Sequence, residues 1–310
     1  MESFRAYRID RGDNGVVADF KTLTIDDLTK GDVVVRVSHS TINYKDALAA
    51  TGAGAILRRY PLNGGIDLAG VVETSEHADF QPGQPVLVTG AGLGETLDGG
   101  YSEIARVPAD VLVPMPEGMT PVEAMQIGTA GFTAALAIHR MEQNGQRPED
   151  GPIVVTGATG GVGSLAIDML SGRGYEVVAL TGKADEENYL HKIGARRIQL
   201  RDQVDLGKRP LEKAQWAGAI DNLGGEYLTW LTRTVDYGGN IASIGLAASH
   251  KLETTVIPFI LRAVCLLGIN SVDTPKELKL AVWKRIAGDL TPGHLDRIGH
   301  TTIPFDDLPG

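Results

Sequence analysis

Apolar positions fall into two textures along the chain. Up to about residue 123 they come as short β-branched runs, Val33-Val34-Val35-Arg36-Val37 and Pro85-Val86-Leu87-Val88, which suit a pleated, half-buried surface. Turn residues punctuate them at Asn63-Gly64-Gly65, Pro82-Gly83 and Asp98-Gly99-Gly100. This half predicts a small β-barrel or sandwich. From about Pro121 the texture changes, and 124–139, with few charges, predicts a buried helix. The pattern then predicts strands over 153–156, 176–180, 197–200, 217–223, 240–244 and 264–269, with helices over 162–170, 186–193 and 227–235. Such alternation predicts an α/β lobe, a parallel sheet with helices on both faces. Six strands fit the doubly wound dinucleotide fold. A further helix over 274–289 is expected to lead back to the first lobe.

Composition sharpens this in a few places. The 310 residues correspond to about two domains at ~150 residues each. With 43% apolar and 22% charged residues the chain is globular, which excludes a disordered, collagen-like or coiled-coil protein. The 39 glycines exceed the usual share of about 7% and imply tight turns or close backbone approach to a ligand. A net charge of −10 gives no general attraction for nucleic acid or a membrane surface, so neither is expected as a partner. The single cysteine, Cys265, excludes an intrachain disulfide and a thiolate zinc cluster, and reads as a small core residue. Met1-Glu2-Ser3-Phe4-Arg5 carries no apolar signal core. The longest apolar stretch, 256–269, is interrupted by Arg262 and falls short of the ~18 residues of a membrane span. A cytoplasmic protein is expected.

The segment Val154-Val155-Thr156-Gly157-Ala158-Thr159-Gly160-Gly161-Val162-Gly163 reads as strand, glycine turn and helix start. Its spacing is G-x-x-G-x-x-G. Glycine lets a pyrophosphate approach the backbone, and the N–H groups of the following helix face the phosphates. The next strand ends Leu180-Thr181-Gly182-Lys183, with no carboxylate for a ribose 2′-hydroxyl before Asp185. A lysine and a threonine hydroxyl suit a 2′-phosphate instead, so NADPH is the expected cofactor. Arg201, ending the third strand, suits the same phosphate or the adenine face.

Several stretches then resemble a known family. They are Ser40-Thr41-Ile42-Asn43-Tyr44-Lys45-Asp46-Ala47-Leu48-Ala49-Ala50-Thr51-Gly52, Gly65-Ile66-Asp67-Leu68-Ala69-Gly70-Val71-Val72 and Gly128-Thr129-Ala130-Gly131-Phe132-Thr133-Ala134. The glycine turn, Thr181-Gly182-Lys183, Pro258-Phe259-Ile260-Leu261-Arg262 and Gly268-Ile269-Asn270-Ser271-Val272 follow in order. Together they resemble the acrylyl-CoA reductase family, a zinc-free, quinone-oxidoreductase-like branch of the medium-chain dehydrogenase/reductases. The resemblance spans nearly the whole chain. It implies a GroES-like β-barrel catalytic lobe at 1–123 and 272–310, and a Rossmann NADPH-binding lobe at 124–271. It implies reduction of acryloyl-CoA to propanoyl-CoA and a homodimer formed through the strand near Cys265. In the family pattern Tyr44, Thr159, Gly160, Gly161, Val162, Thr181, Gly182, Lys183, Arg201, Leu246, Ile260 and Ser271 line the cofactor, and Gly157 opens the turn. Family members run on through a helix and a final strand that supplies an asparagine contact. The sequence here ends Asp306-Asp307-Leu308-Pro309-Gly310. Zinc members of the superfamily present a cysteine near the Tyr44 position and a later Gly-His-Glu. Here stand Asn43-Tyr44-Lys45-Asp46 and Gly65-Ile66-Asp67, and the seven histidines show no ligand spacing, so no metal is expected.

Without a metal, carbonyl polarisation falls to hydrogen bonds. Hydride addition at the β-carbon builds negative charge on the thioester oxygen, and a donor aimed there is worth about 3 kcal/mol. Tyr44 is the candidate catalytic group, donating a hydrogen bond or relaying a proton, with Asn43 positioning the site. Both also have ordinary uses, as a packed aromatic and a turn-stabilising amide. Asp46 and Asp67 read as holding loops together. Arg58-Arg59 reads as a solvated loop pair, with coenzyme A phosphates as its other use. An NADPH:quinone reductase, and an NADPH-binding protein without turnover, are the alternative functions.

Overall fold

Alternating apolar and polar residues from Phe4 onward build a hairpin of β1 (Phe4–Gly12) and β2 (Gly15–Leu23), with Tyr7 opposite Phe20. The computed structural model describes residues 3–309. Next come β3 (Val33–His39), α1 (Tyr44–Thr51), β4 (Leu62–Asn63), β5 (Asp67–Ser75), β6 (Pro85–Thr89), β7 (Ile104–Val107) and β8 (Val113–Pro114). They form two antiparallel sheets, ordered β2-β1-β4 and β7-β3-β5-β6-β8. The larger sheet buries Val33, Val35, Leu68, Val86 and Val88 completely. Burial of this kind, at about 25 cal/mol per Å² of apolar area, is its main favourable contribution.

Helix α2 (Pro121–Gln143) begins at Pro121 because Thr120 and Glu123 cap it reciprocally. The Thr120 N–H and hydroxyl donate to Glu123 Oε2 at 2.8 Å each, and the Glu123 N–H donates to Thr120 Oγ1 at 3.2 Å. The helix is interrupted at Gly128, where φ is 48° and ψ is −158°. Glycine is needed there, since a Cβ would lie 2.8 Å from Thr41 Cγ2 and 2.9 Å from Asp67 Oδ2.

The strands and helices then alternate as predicted: β9 (Ile153–Thr156), α3 (Gly161–Gly172), β10 (Val177–Thr181), α4 (Glu187–Lys192), β11 (Arg197–Leu200), β12 (Trp216–Asp221), α5 (Gly225–Thr234), β13 (Val235–Ser243), α6 (Ile257–Leu261) and β14 (Cys265–Gly268). All six strands pair parallel, in the order β11-β10-β9-β12-β13-β14. Counted from β9 this is 3-2-1-4-5-6, the order of dinucleotide-binding sheets. Strand β13 starts at Val235, directly after α5, where the pattern predicted 240. In the core Trp216 and Trp230 meet edge to face with centroids 5.9 Å apart.

Helices α7 (Lys276–Ile286) and α8 (Leu295–Ile298) follow. Residues up to Thr129, Ser271–Trp283 and those from Gly299 form one compact unit, and Ala130–Asn270 with Lys284–Ile298 forms the other. The expected boundaries were 123/124 and 271/272, with all of 272–310 in the first lobe. The segment Lys284–Ile298 departs from that because Arg285 Nη2 pairs with Glu142 at 2.6 Å and His294 Nδ1 lies 2.8 Å from Asp168. The first boundary follows the interruption at Gly128. No helix among the described residues is long and apolar enough to cross a membrane.

Helix α3 packs tightly on the end of β9, and a Cβ on Gly163 would stand 2.3 Å from the Gly157 carbonyl oxygen. Gly163→Ala is expected to cost about 1–3 kcal/mol through overpacking. Urea unfolding measures this, and wild-type stability in the variant would contradict it.

Candidate active site

In the first unit the chemistry-bearing residues gather around Asp67, which has no exposed surface. Its Oδ2 accepts from the Thr41 hydroxyl at 2.7 Å, the Asn43 amide at 3.2 Å and the Thr129 N–H at 2.9 Å. Its Oδ1 accepts from the Gly90 N–H at 3.2 Å and from the Thr129 hydroxyl. The Asn43 amide also donates to Thr41 Oγ1 at 2.6 Å. Asn43 caps α1, and its N–H donates to Asp46 Oδ2 at 2.8 Å, while the Ile66 N–H donates to Asp46 Oδ1 at 3.0 Å. Both carboxylates therefore hold loops together, as expected from the sequence. Tyr44, the first residue of α1, is 81% exposed. Ser271 is in the same unit, with its carbonyl beside Gly90.

Sequence reasoning missed Thr41, Tyr101, Thr129 and Lys279. The Tyr101 hydroxyl donates to the Thr41 carbonyl at 2.8 Å. Burial, and then the Asp46 and Asp67 charges, push its phenol far above the usual range. Lys279, on α7, is buried and donates to the Thr89 carbonyl at 3.3 Å. Burial pulls its ammonium down to about 8, against the opposing pull of Asp67. Thr129 falls within a stretch quoted above. Lys279 has no local signal, because a lysine on an amphipathic helix is ordinarily solvated.

The second unit holds the glycine turn. Gly157 takes a φ of +59°, Gly160 caps α3, and Gly160 and Gly161 are exposed with Thr159 and Val162 half-buried beside them. The N–H groups of the first turn of α3 are thus presented as an anion site needs. Thr156 fixes the turn from below, donating to the buried Asp221 at 2.7 Å and accepting from the Asn222 N–H at 2.9 Å. At the ends of β10 and β11, which pair Thr181 with Leu200, the expected ribose residues meet. Thr181 is buried and its Oγ1 accepts the Lys183 N–H at 3.0 Å. The Arg201 guanidinium lies against Gly182, where a Cβ would come within 3.0 Å of Nη2. It also sits 5.8 Å from the Tyr227 ring centroid. Lys183 and Arg201 are exposed, and no carboxylate closes this end of β10. The donor set fits a phosphorylated dinucleotide. Leu246 and Ile260 are 67% and 71% exposed in the same unit.

Burial, with the Asp67 charge adding to it, pushes the Asp46 carboxyl up to about 6. The folded state takes this proton before the unfolded chain does. The stabilising contribution is therefore full below pH about 4 and is lost as pH rises through about 6. Relative to wild type, Asp46→Asn is expected to gain unfolding free energy across that window and level off above it. Denaturation over a pH series checks this, and a difference that does not vary with pH would contradict it.

Comparison with known proteins agrees with this geometry. Residues 29–117 match the alcohol dehydrogenase GroES-like domain, and residues 161–287 match the zinc-binding dehydrogenase family. Zinc does not fit the residues present: among those described, no group of three or more His, Cys, Asp or Glu could hold a metal ion. The chain is 46% identical to the putative quinone oxidoreductase YhfP of Bacillus subtilis (99% of this chain, 93% of that one). It is 49% identical to the probable acrylyl-CoA reductase AcuI of Escherichia coli (92% and 88%), and 45% identical to the acrylyl-CoA reductase AcuI of Ruegeria pomeroyi (99% and 94%). Among solved structures, the yhdH oxidoreductase of Salmonella enterica in complex with NADP superposes with a TM-score of 0.93 at 46% identity, covering 98% of this chain and 94% of that one. Bacillus subtilis yhfP with NAD bound gives 0.94 at 44%, covering 100% and 96%. The chain belongs to the acrylyl-CoA reductase and YhfP quinone-oxidoreductase-like family of the medium-chain dehydrogenase/reductase superfamily.

Proposed function

We propose that this oxidoreductase uses NADPH to reduce the C=C bond of a short α,β-unsaturated acyl-CoA, acryloyl-CoA to propanoyl-CoA. The observation that carries the cofactor is the meeting of Thr181, Gly182, Lys183 and Arg201 at a strand end with no ribose carboxylate. The NADP complex of the Salmonella enterica relative and the two acrylyl-CoA reductase relatives support the reading. A quinone reductase is the second reading, favoured by the YhfP relative's name.

When bound, NADPH supplies a hydride to the substrate's β-carbon. The first-turn N–H groups of α3 hold its pyrophosphate, and Lys183 and Arg201 hold its 2′-phosphate. Leu246, Ile260 and Ser271 are proposed as flanking contacts. Tyr44 is the proposed donor to the thioester oxygen, where negative charge develops, and a relay for the α-carbon proton. Asn43 is a positioning residue, its amide fixed by Asp67 and Thr41.

Lys183→Glu is expected to raise the KM for NADPH at least tenfold, about 1.4 kcal/mol, while barely altering that for NADH. Equal losses with both cofactors would remove the phosphate role. Following NADPH absorbance with acryloyl-CoA, crotonyl-CoA and benzoquinone in parallel decides the substrate class, and turnover of benzoquinone alone would overturn the acyl-CoA reading. In the same assay Tyr44→Phe is expected to lower kcat on acryloyl-CoA more than it weakens NADPH binding. An unchanged kcat would take Tyr44 out of the chemistry.

A further inference from the structure

Resting on the acyl-CoA reading above, we propose that Arg58, Arg59 and Arg11 form the site that binds the phosphates of coenzyme A. The segment carrying the arginine pair is anchored on both sides. Leu57 is buried and Tyr60 half-buried in one apolar cluster with Ile9, Ala49 and Leu62. Arg58 and Arg59 nevertheless stand exposed on this fixed backbone. Arg11 reaches the same place from β1, with its guanidinium carbon 5.1 Å from the centroid of the Tyr60 ring.

Among the described residues none of these three arginines forms an ion pair. Several arginines elsewhere in the chain do have carboxylate partners. Arg36 pairs with Glu73 at 2.7 Å, Arg209 with Glu212 at 2.6 Å and Arg285 with Glu142 at 2.6 Å. The neighbouring Asp10 accepts the backbone N–H of Arg11 at 2.7 Å. In a chain of net charge −10, three guanidiniums without carboxylate partners gather positive charge on the segments around Tyr60. That arrangement costs mutual repulsion unless an anion is present.

The patch is also tied to the helix that starts with Tyr44. The Arg58 N–H donates to the Glu95 carbonyl at 2.8 Å, and Glu95 Oε1 accepts from Lys45 Nζ at 2.7 Å. One residue, Glu95, thus links the first turn of α1 to Arg58, and it neutralises Lys45 while leaving the arginines free. Coenzyme A carries its phosphates at the end of a pantetheine arm remote from the thioester. A cationic patch on the framework that holds Tyr44, but set apart from it, suits such a ligand. Guanidinium forks match phosphate oxygens in pairs, and a quinone has no anionic oxygens to offer them. The patch is therefore a specificity determinant for the thioester.

Calorimetric titration of the full chain in saturating NADPH with coenzyme A, dephospho-coenzyme A and pantetheine tests the assignment. Wild type is expected to bind coenzyme A at least tenfold more tightly than pantetheine, with dephospho-coenzyme A between them. Arg58→Gln combined with Arg59→Gln should erase most of that ratio, and Arg11→Ala part of it, each with an unchanged melting temperature. A ratio near one in wild type, or the same ratio in wild type and the double variant, would overturn the site. A protein that binds coenzyme A through the patch yet reduces no acyl-CoA supports this site and defeats the substrate reading instead.

Discussion

A carboxyl group taken wholly out of water must have its oxygens filled with donors, and Asp67 meets that condition. Its donors come from the loop before α1, from Gly90 after β6 and from Thr129 in α2. These stretches are far apart in sequence, so the carboxylate acts as the point at which the first unit closes. The interruption at Gly128 is part of the same arrangement. It turns the Thr129 N–H out of the helical pattern and toward the carboxylate. Asn43 is fixed as a consequence, and Asn43 in turn caps the helix whose first residue is Tyr44.

The second unit works by the opposite strategy. Its polar groups at the glycine turn and at the ends of β10 and β11 are presented rather than saturated. Helix N–H groups, a lysine and an arginine are exposed there, while Thr156 and Asp221 stiffen the turn from the buried side. An acidic protein can still attract an anionic cofactor because what counts at contact distance is the local charge, with the rest screened beyond about 8–10 Å at ordinary salt.

Features that are local in sequence were legible there. The β-branched runs, the six alternating strands and the glycine turn each declare themselves within about ten residues. The hairpin of β1 and β2 carries the same kind of signal, alternation around Gly12-Asp13-Asn14-Gly15, though more polar and easier to pass over. Gly128 looks like an ordinary helical glycine, because what interrupts the helix is Asp67, distant along the chain. Lys279 reads as solvated for a similar reason, since only tertiary packing against Thr89 reveals its burial. Tyr44 and Asn43 are candidates nominated by the sequence. Their hydrogen bonds and exposure are not legible there, since those depend on which distant loops arrive beside them.

Cys265, expected in the core, is instead half-exposed, because β14 forms an edge of the parallel sheet. Its thiol lies 3.6 Å from the Ala263 carbonyl oxygen. As the only thiol in the chain, it offers a single attachment point for a maleimide fluorophore or spin label. The native sequence can thus carry a reporter on the outer strand of the nucleotide-type sheet without any prior cysteine replacement.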